Sequence, residues 1–164
     1  MLEFYVEVDP ELQTLEKELL AVEELQGFKA VLEQAFSAFR RGDYAITIPA
    51  LTPVLEQSVR CFGEERMPST DVEKLLRKRY ARAKEAKARF LFAIASLNEF
   101  IGEYYKNYRP TVDPGERVRR HGISHGTQTP PNSKVEAIRL FHVISTVTEL
   151  YEYVITPPVS ARTA

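Results

Sequence analysis

Apolar residues recur at steps of three and four along most of this chain, and this periodicity constrains the fold more than any other feature. The spacing places apolar side chains on one face of a helix, whereas a strand would need alternation at every second residue. Four periodic segments are recognised, over residues 10–41 with an interruption near 27, 43–63, 69–109 and 132–154. The pattern predicts an all-α protein, a bundle of four to five helices.

The last periodic segment contains a run rich in β-branched residues, residues 143–148. Such residues favour a strand, but the length of the segment and its apolar stripe favour a buried helix. Ser133 and Glu136 at its start have the spacing of a capping box. We expect His142, inside the segment, to be at least partly buried and hydrogen-bonded. Asp43 precedes the second segment and is expected to cap it.

The chain has 164 residues, a length that suits one domain with a buried core. Residues 1–9 alternate apolar and acidic side chains and are expected to form an extended acidic arm. Residues 10–156 are predicted to form a single helical domain, followed by a flexible tail at residues 157–164.

The formal net charge of −1 conceals an uneven distribution of charge along the chain. Residues 1–26 hold eight acidic residues against one lysine, a net charge of −7. Residues 71–125 hold thirteen lysines and arginines against seven acidic residues, a net charge of +6. The run from Lys74 to Arg89 suits either contact with a phosphate backbone or a solvated helix face. The composition therefore does not exclude RNA binding.

Simple counts exclude several other classes of protein. Cys61 is the only cysteine, so an internal disulfide and a cysteine-built zinc site are excluded. No run of about 18 apolar residues exists, so no membrane-spanning helix is expected. The acidic start of the chain does not have the pattern of a signal peptide, so we expect a cytoplasmic protein. No motif indicates a cofactor.

One short run has the composition of a reactive site: Arg119-Arg120-His121-Gly122-Ile123-Ser124-His125-Gly126. It holds two of the three histidines of the chain, together with two arginines and two glycines. Histidine exchanges a proton near neutral pH, and arginine offers a fixed fork of donors to phosphate. Together they suit phosphodiester chemistry without a metal, in which one group moves protons and the other stabilises charge.

The spacing within this run limits how its side chains can meet. His121 and His125 are four residues apart and share a face of a helix. Arg120 and His125 are five apart and diverge by about 140° on a regular helix. Their convergence requires either a helix that loosens at Gly122 or two protomers that each supply one residue. The second route predicts a homodimer with a composite site.

At this run the sequence resembles the HEPN superfamily, the higher-eukaryote and prokaryote nucleotide-binding domains. Its signature is an arginine, a polar residue directly after it and a histidine four to six positions beyond the arginine, which Arg120, His121 and His125 match. The nearest branch has the motif Asn-Arg-His/Asn-x-Ile-x-His-Gly, and Gly126 supplies its last residue. The resemblance covers roughly residues 36–155 and includes a Gly-x-Tyr…Ile-Pro…Glu pattern that ends at Glu56.

The resemblance implies a helical bundle that dimerises around the motif and cleaves RNA without a metal, with the 2′-hydroxyl attacking the adjacent phosphate. His125 would act as the acid and base, Arg120 would position and stabilise the phosphate, and His121 would orient the pair or contact the substrate. The resemblance also implies a toxin or defence role, with an antitoxin or regulatory protein as a further partner. Other members of the superfamily are non-catalytic and bind RNA or a partner toxin.

Six further residues are assigned to the site or to its support. We expect substrate contacts from Arg117, Arg119 and Ser124, and structural support from Glu56, Gly122 and Gly126. Arg119 stands where the branch has asparagine and adds charge, and Ser124 replaces an aliphatic residue. A carboxylate inside an apolar helix needs a cationic partner, so we expect Glu56 to pair with Arg60 or with an arginine of residues 117–120.

The run has two alternative interpretations. In a structural network, Arg120 would bind helix carbonyls or Glu56, and His125 would cap a helix end. The chain would then be a non-catalytic, all-helical protein-interaction module whose acidic arm or basic helix recruits a partner. In a zinc site, His121 and His125 would be ligands on one helix face. Gly122, however, stands where a His-Glu-x-x-His motif has its glutamate, and no third ligand is evident, so no metal is expected.

Overall fold

The computed structural model describes residues 9–61, 88–110, 115 and 117–155. These residues form helices and connecting turns without a strand, which confirms the predicted all-α fold. The helices are α1 (Pro10–Ala21), a 3-10 helix (Glu23–Phe28), α2 (Lys29–Arg40), α3 (Tyr44–Cys61), α4 (Ala88–Tyr104), α5 (Arg120–Ser124) and α6 (Lys134–Ile155). The described residues thus contain six α-helices, because the first periodic segment is divided and the arginine–histidine run forms a helix of its own.

The first periodic segment is divided where α1 ends and the 3-10 helix begins. Asp9 caps α1, since its Oδ1 accepts hydrogen bonds from two N–H groups of the first turn at 3.0 and 3.4 Å. Val22 has extended backbone angles (φ −66°, ψ 121°) that end the helix. Gln26 Nε2 then donates to the carbonyl of Leu20 at 2.9 Å and covers this end of α1. The interruption predicted near Gly27 is therefore a short 3-10 connection that starts before that glycine.

The core is formed mainly by α2, α3 and α6, and α1 and α4 also pack against α6. At its centre Phe36 of α2 stacks on Phe141 of α6, with ring centroids 4.1 Å apart and an interplanar angle of 20°. Phe39 meets the same Phe141 ring edge-on, with centroids 5.8 Å apart. Helix α3 contributes side chains that are fully buried, namely Ile48, Leu51, Val54 and Leu55. Their spacing of three and four confirms that the apolar stripe is the core face.

The first turn of α3 is capped by a residue from a distant part of the chain. The N–H of Ala45 donates to Asn132 Oδ1 at 3.3 Å, across 87 residues of sequence. Asp43, the expected cap, instead accepts a hydrogen bond from Arg41 Nε at 3.0 Å, because that guanidinium is two residues away and competes for the carboxylate. Asn132 lies just before α6, so the starts of α3 and α6 are joined.

Helix α6 continues without interruption through residues 143–148, as its apolar stripe predicts. Ser133 Oγ accepts from the N–H of Glu136 at 3.3 Å, which is one half of the expected capping box. The Glu136 carboxylate instead accepts from the backbone N–H of Val118 at 3.2 Å and holds the segment before α5 against α6. His142 is exposed, so the expectation of burial is wrong; it falls between the core-facing positions of the stripe.

Parts of the predicted organisation lie outside the described residues. These are nearly all of the acidic arm, most of the basic run between Lys74 and Arg89, and the tail. The buried apolar side chains of the described helices join in one cluster. In the part of the chain that the structure covers, none of the helices combines the length and the apolar character needed to cross a membrane.

Candidate functional site

The arginine–histidine run forms α5 and the turn that ends it. A Schellman motif closes the helix: the N–H of Thr127 donates to the carbonyl of Gly122 at 2.9 Å, and that of Gly126 to the carbonyl of Ile123 at 3.2 Å. Gly126 has φ +66°, the left-handed conformation that this motif requires and that other residues adopt at a cost. Gly126 therefore fixes the direction in which the chain leaves the run.

Gly122 lies where α5 approaches the rest of the protein too closely for a side chain. A Cβ atom at this position would come within 2.7 Å of Gln128 Cβ and 2.9 Å of Tyr108 Cβ. Gln128 holds the entry to α5, because its Oε1 accepts from the N–H of Arg119 at 3.0 Å and its Nε2 donates to the carbonyl of Arg117 at 2.6 Å. The glycine permits the close approach on which this amide bridge depends.

Arg119 faces the interior, with its side chain only 11% exposed. Its Nη1 donates to the backbone carbonyl of Glu103 and, at 2.7 Å, to Oε2 of the same residue. Lys106 forms a second ion pair with that carboxylate. The hydrogen bonds from Lys106 and Arg119 lower the pKa of Glu103 from 4.5 to about 2. Arg119 was expected to contact substrate, but the structure places it as an anchor between the start of α5 and the end of α4.

Arg120 is half-buried and directed toward α3. Its Nε forms an ion pair with Glu56 Oε1, and Arg60 Nη2 lies 3.7 Å from Glu56 Oε2, so both predicted partners of Glu56 are confirmed. The Arg120 guanidinium also lies over the ring of Tyr105, with Cζ 5.7 Å from the ring centroid. Burial raises the pKa of Tyr105 to about 12, so this phenol is neutral at physiological pH.

His121 and His125 lie side by side and are both exposed. The N–H of His125 donates to the carbonyl of His121 at 3.1 Å, so the helical register extends from one residue to the other. Their ring centroids are 4.3 Å apart, with an interplanar angle of 51°. The predicted shared face of the two histidines is confirmed. Arg117 and Ser124 are exposed as well, so residues 117–125 present two imidazoles, a guanidinium and a hydroxyl group at the surface.

Helix α5 is regular on both sides of Gly122. The N–H of Ile123 donates to the carbonyl of Arg119 at 3.0 Å, and the same i to i−4 pattern continues at His125. The helix therefore does not loosen to bring Arg120 toward His125. Within one chain Arg120 is held by Glu56 while the histidines are exposed. The two-protomer route stays a prediction.

Two residues that hold the run in place were not anticipated from the sequence, namely Glu103 and Gln128. The contact of Glu103 with Arg119 spans 16 residues, and that of Gln128 with Arg119 spans 9. Neither position belongs to a local pattern, because both contacts are formed only by the folded chain. Sequence periodicity places apolar side chains, and it carries no information about such polar pairs.

The two histidines also have to be considered as metal ligands. Among the described residues, no group of three or more histidine, cysteine, aspartate or glutamate side chains is arranged to hold a metal ion. A catalytic zinc site of the usual kind takes three protein ligands and one water. His121 and His125 supply two, so the pair alone does not meet that pattern.

No protein-family model matches this chain, and neither a curated protein nor a solved structure matches it significantly. The HEPN resemblance therefore depends on the residues of the arginine–histidine run and its flanking helices. Any function has to be inferred from the geometry of those residues.

Proposed function

We propose that this chain is a HEPN-like, metal-independent endoribonuclease that acts in the cytoplasm. One observation carries the proposal: two exposed imidazoles, His121 and His125, lie with ring centroids 4.3 Å apart on the short helix that also carries Arg120. Imidazole moves protons near neutral pH, and a guanidinium stabilises phosphate charge. Arg117, three residues before α5, is exposed and adds positive charge that attracts an RNA backbone.

In the proposed reaction, the 2′-hydroxyl of a ribose attacks the adjacent phosphorus. His125 accepts the hydroxyl proton as the new P–O bond forms. The bond from phosphorus to the 5′-oxygen then breaks, and this oxygen takes a proton from a second imidazole, for which His121 is suitably placed. The products are a 2′,3′-cyclic phosphate and a 5′-hydroxyl. Two rings this close can serve a single phosphodiester.

Arg120 supports this chemistry by stabilising the phosphate. Its ion pair with Glu56 and its position over Tyr105 restrict the orientation of the guanidinium plane. A guanidinium has five N–H donors in a rigid fork, so a contact through Nε is compatible with donation from the terminal amino groups to phosphate. Glu56 also compensates the positive charge, so we expect it to weaken phosphate binding while it holds the arginine in place.

We further propose that the active form is a homodimer with a composite site. In one chain Arg120 is held by Glu56 and the imidazoles are exposed. A second copy packed against α5 would place the imidazoles of one protomer beside the arginine of the other. Light scattering at micromolar concentration should give twice the monomer mass. A monomer under these conditions would rule out the composite site.

An RNase of this kind suits a toxin or defence role, in which its activity must be restrained. We propose an antitoxin or other regulatory protein as the partner that provides this restraint. Residues 1–26 carry a net charge of −7, from eight acidic residues and one lysine, and residues 71–125 carry a net charge of +6, from thirteen basic and seven acidic residues. These two segments of opposite charge give such a partner two targets to recognise.

The test is cleavage of a broad RNA panel by purified protein in the presence of EDTA. We expect the wild type to release fragments that end in a 2′,3′-cyclic phosphate. His125→Ala and Arg120→Ala should each cut at least about 100-fold more slowly, because each removes a group that acts in the transition state. His142→Ala is the matched control, since this third histidine is exposed on α6, and it should cut at the wild-type rate.

The circular dichroism spectrum of each variant should match that of the wild type. A loss of cleavage then does not result from a loss of folding. The catalytic proposal is wrong if the wild type leaves the whole panel uncut. It is equally wrong if His125→Ala and Arg120→Ala cut as fast as the wild type.

A second function is favoured by a different observation. Arg119 and Arg120 are both engaged by carboxylates of the same chain, and Gly122 and Gln128 are packed together. Such contacts are typical of a structural element. Under this interpretation, the chain is a non-catalytic protein-interaction module. This alternative predicts inert RNA assays together with a partner complex in a pull-down that His125→Ala retains.

A further inference from the structure

The two exposed imidazoles next to each other, His121 and His125, lie close enough to be considered as a pair of metal ligands as well as an acid–base pair. All three histidines of the chain lie among the described residues, and only His121 and His125 have rings in contact. Their spacing of i and i+4 on one helix brings both imidazoles to the same patch of surface. The third, His142, is exposed on α6, in a different element.

The distance between the two rings suits a single bound cation. A late first-row ion bonds to imidazole nitrogen at about 2.0–2.1 Å, so two adjacent ligand nitrogens lie about 3 Å apart. Ring centroids 4.3 Å apart, with planes tilted by 51°, allow one nitrogen of each imidazole to reach that separation by a small rotation of the side chains. The exposure of both residues leaves the remaining coordination positions to water.

The backbone under the pair is already fixed, which lowers the cost of assembling the site. The N–H of His125 is bonded to the carbonyl of His121, and the Schellman motif at Gly126 closes the helix directly after the pair. Binding of a cation therefore has to restrict only the rotation of the two histidine side chains. Because the ligands are two neutral nitrogens, the site suits Cu²⁺, Ni²⁺ and Zn²⁺, and it does not suit Mg²⁺ or Ca²⁺, which prefer oxygen.

We propose that His121 and His125 form a two-imidazole binding site for a late first-row divalent cation. Its regulatory consequence rests on the proposed nuclease function. A cation that occupies a nitrogen of each ring takes the lone pairs that the proton transfers need, so binding switches RNA cleavage off. The reaction itself needs no metal, and the cation acts as a reversible inhibitor at the same residues.

Isothermal titration of tag-free, full-length protein with NiCl₂ tests the site without reference to activity. We expect one Ni²⁺ per chain in the wild type. His121→Gln and His125→Gln should each bind Ni²⁺ on the order of 10- to 100-fold more weakly. A single imidazole lacks the gain in affinity that a second ligand held nearby provides. His142→Gln is the matched control and should bind as the wild type does. Mg²⁺ in place of Ni²⁺ should show no binding that depends on either residue of the pair.

The site proposal is overturned if either single variant of the pair binds Ni²⁺ with wild-type affinity, or if His142→Gln weakens binding as much as they do. RNA cleavage with and without NiCl₂ then tests the regulation separately. Wild-type cleavage should stop as the site fills, and EDTA should restore it. If metal-free protein does not cleave RNA at all, the nuclease proposal fails, and the titration still decides whether the cation site exists.

Discussion

The α2–α3–α6 core is stabilised by contacts of one kind, and the α5 turn, residues 117–128, by contacts of another. In the core, side chains such as Phe36 and Phe141 are completely buried and stack on each other. The α5 turn is fixed by single polar contacts, including the Arg119–Glu103 ion pair and the Gln128 bridge. Apolar burial is shared over many atoms, whereas each polar contact depends on one donor and one acceptor.

The difference shows how a fold can position a reactive run without burying it. The core supplies most of the stability, and the turn supplies the orientation of α5. Because the turn depends on few contacts, small substitutions there should alter its geometry while the helical bundle persists. Substitutions in the core should act in the opposite way and lower the stability of the whole domain. The predictions below test this contrast.

The largest effect is expected from Phe141→Ala in the core. This change removes the ring that contacts both Phe36 and Phe39 and leaves a cavity, so the free energy of unfolding should fall by about 3–5 kcal/mol. Val135→Ala is the control on the same helix, because Val135 is 69% exposed, and it should change stability by less than about 0.5 kcal/mol. Urea denaturation measures both. Equal losses would remove the distinction between core and surface of α6.

Gly122→Ala should have the next largest effect, through overpacking. The added methyl group would lie 2.7 Å from Gln128 Cβ, and the resulting strain should cost about 1–3 kcal/mol. Gly102→Ala is the control, since Gly102 lies in the last turn of α4 and a Cβ atom there meets nothing within 4 Å. It should stabilise the protein, by up to about 1 kcal/mol. Thermal denaturation of the two variants should therefore shift in opposite directions, and a shift in the same direction would contradict the close approach at Gly122.

The ion pairs of Glu103 with Lys106 and Arg119 make the stability of the turn depend on pH. The pKa of Glu103 is lowered from 4.5 to about 2, so the carboxylate stabilises the fold above pH 4.5 and loses this contribution as the pH falls toward 2. Glu103→Gln should cost about 1–2 kcal/mol at neutral pH. The difference between wild type and variant should shrink between pH 4.5 and pH 2 in denaturant titrations. A constant difference across that range would contradict the assignment.

The smallest effect is expected at the start of α3. Asn132→Ala removes the side chain that accepts from the N–H of Ala45, and loss of an exposed helix cap should cost about 0.5–1 kcal/mol. Asn107→Ala, at an exposed position after α4, is the control and should leave stability within about 0.5 kcal/mol of the wild type. Chemical denaturation with matched protein concentrations resolves the two. Equal effects would remove the capping role from Asn132.

Periodicity predicted the all-α fold and the core faces of α3 and α6, because apolar spacing reports directly on which side of a helix is buried. It also placed His121 and His125 on a shared face. It failed for His142 because a helix rich in apolar residues still has a solvent side, and the position of a residue relative to the stripe decides its burial. The apolar spacing of α3 gave no indication that Asn132 caps this helix, because the capping contact joins residues far apart in the sequence.

The polar contacts of the candidate site were less predictable. The pairing of Glu56 with Arg60 and Arg120 could be anticipated, because a carboxylate in an apolar helix needs a cation. The burial of Arg119 could not, since its partner Glu103 lies in another helix and neither residue is marked by a local pattern. Whether one of two adjacent arginines is exposed or buried depends on the path of the folded chain, and the sequence pattern does not indicate it.

The hydrogen bond from Ala45 to Asn132 has a consequence for the order in which the chain folds. The two residues are 87 positions apart, so a ribosome must deliver most of the domain before the first turn of α3 acquires its cap. Contacts of such long range form late, after the entropy of closing the intervening loop has been offset by other packing. The amide hydrogen of Ala45 should therefore exchange with solvent in a nascent or truncated chain and become protected when α6 docks.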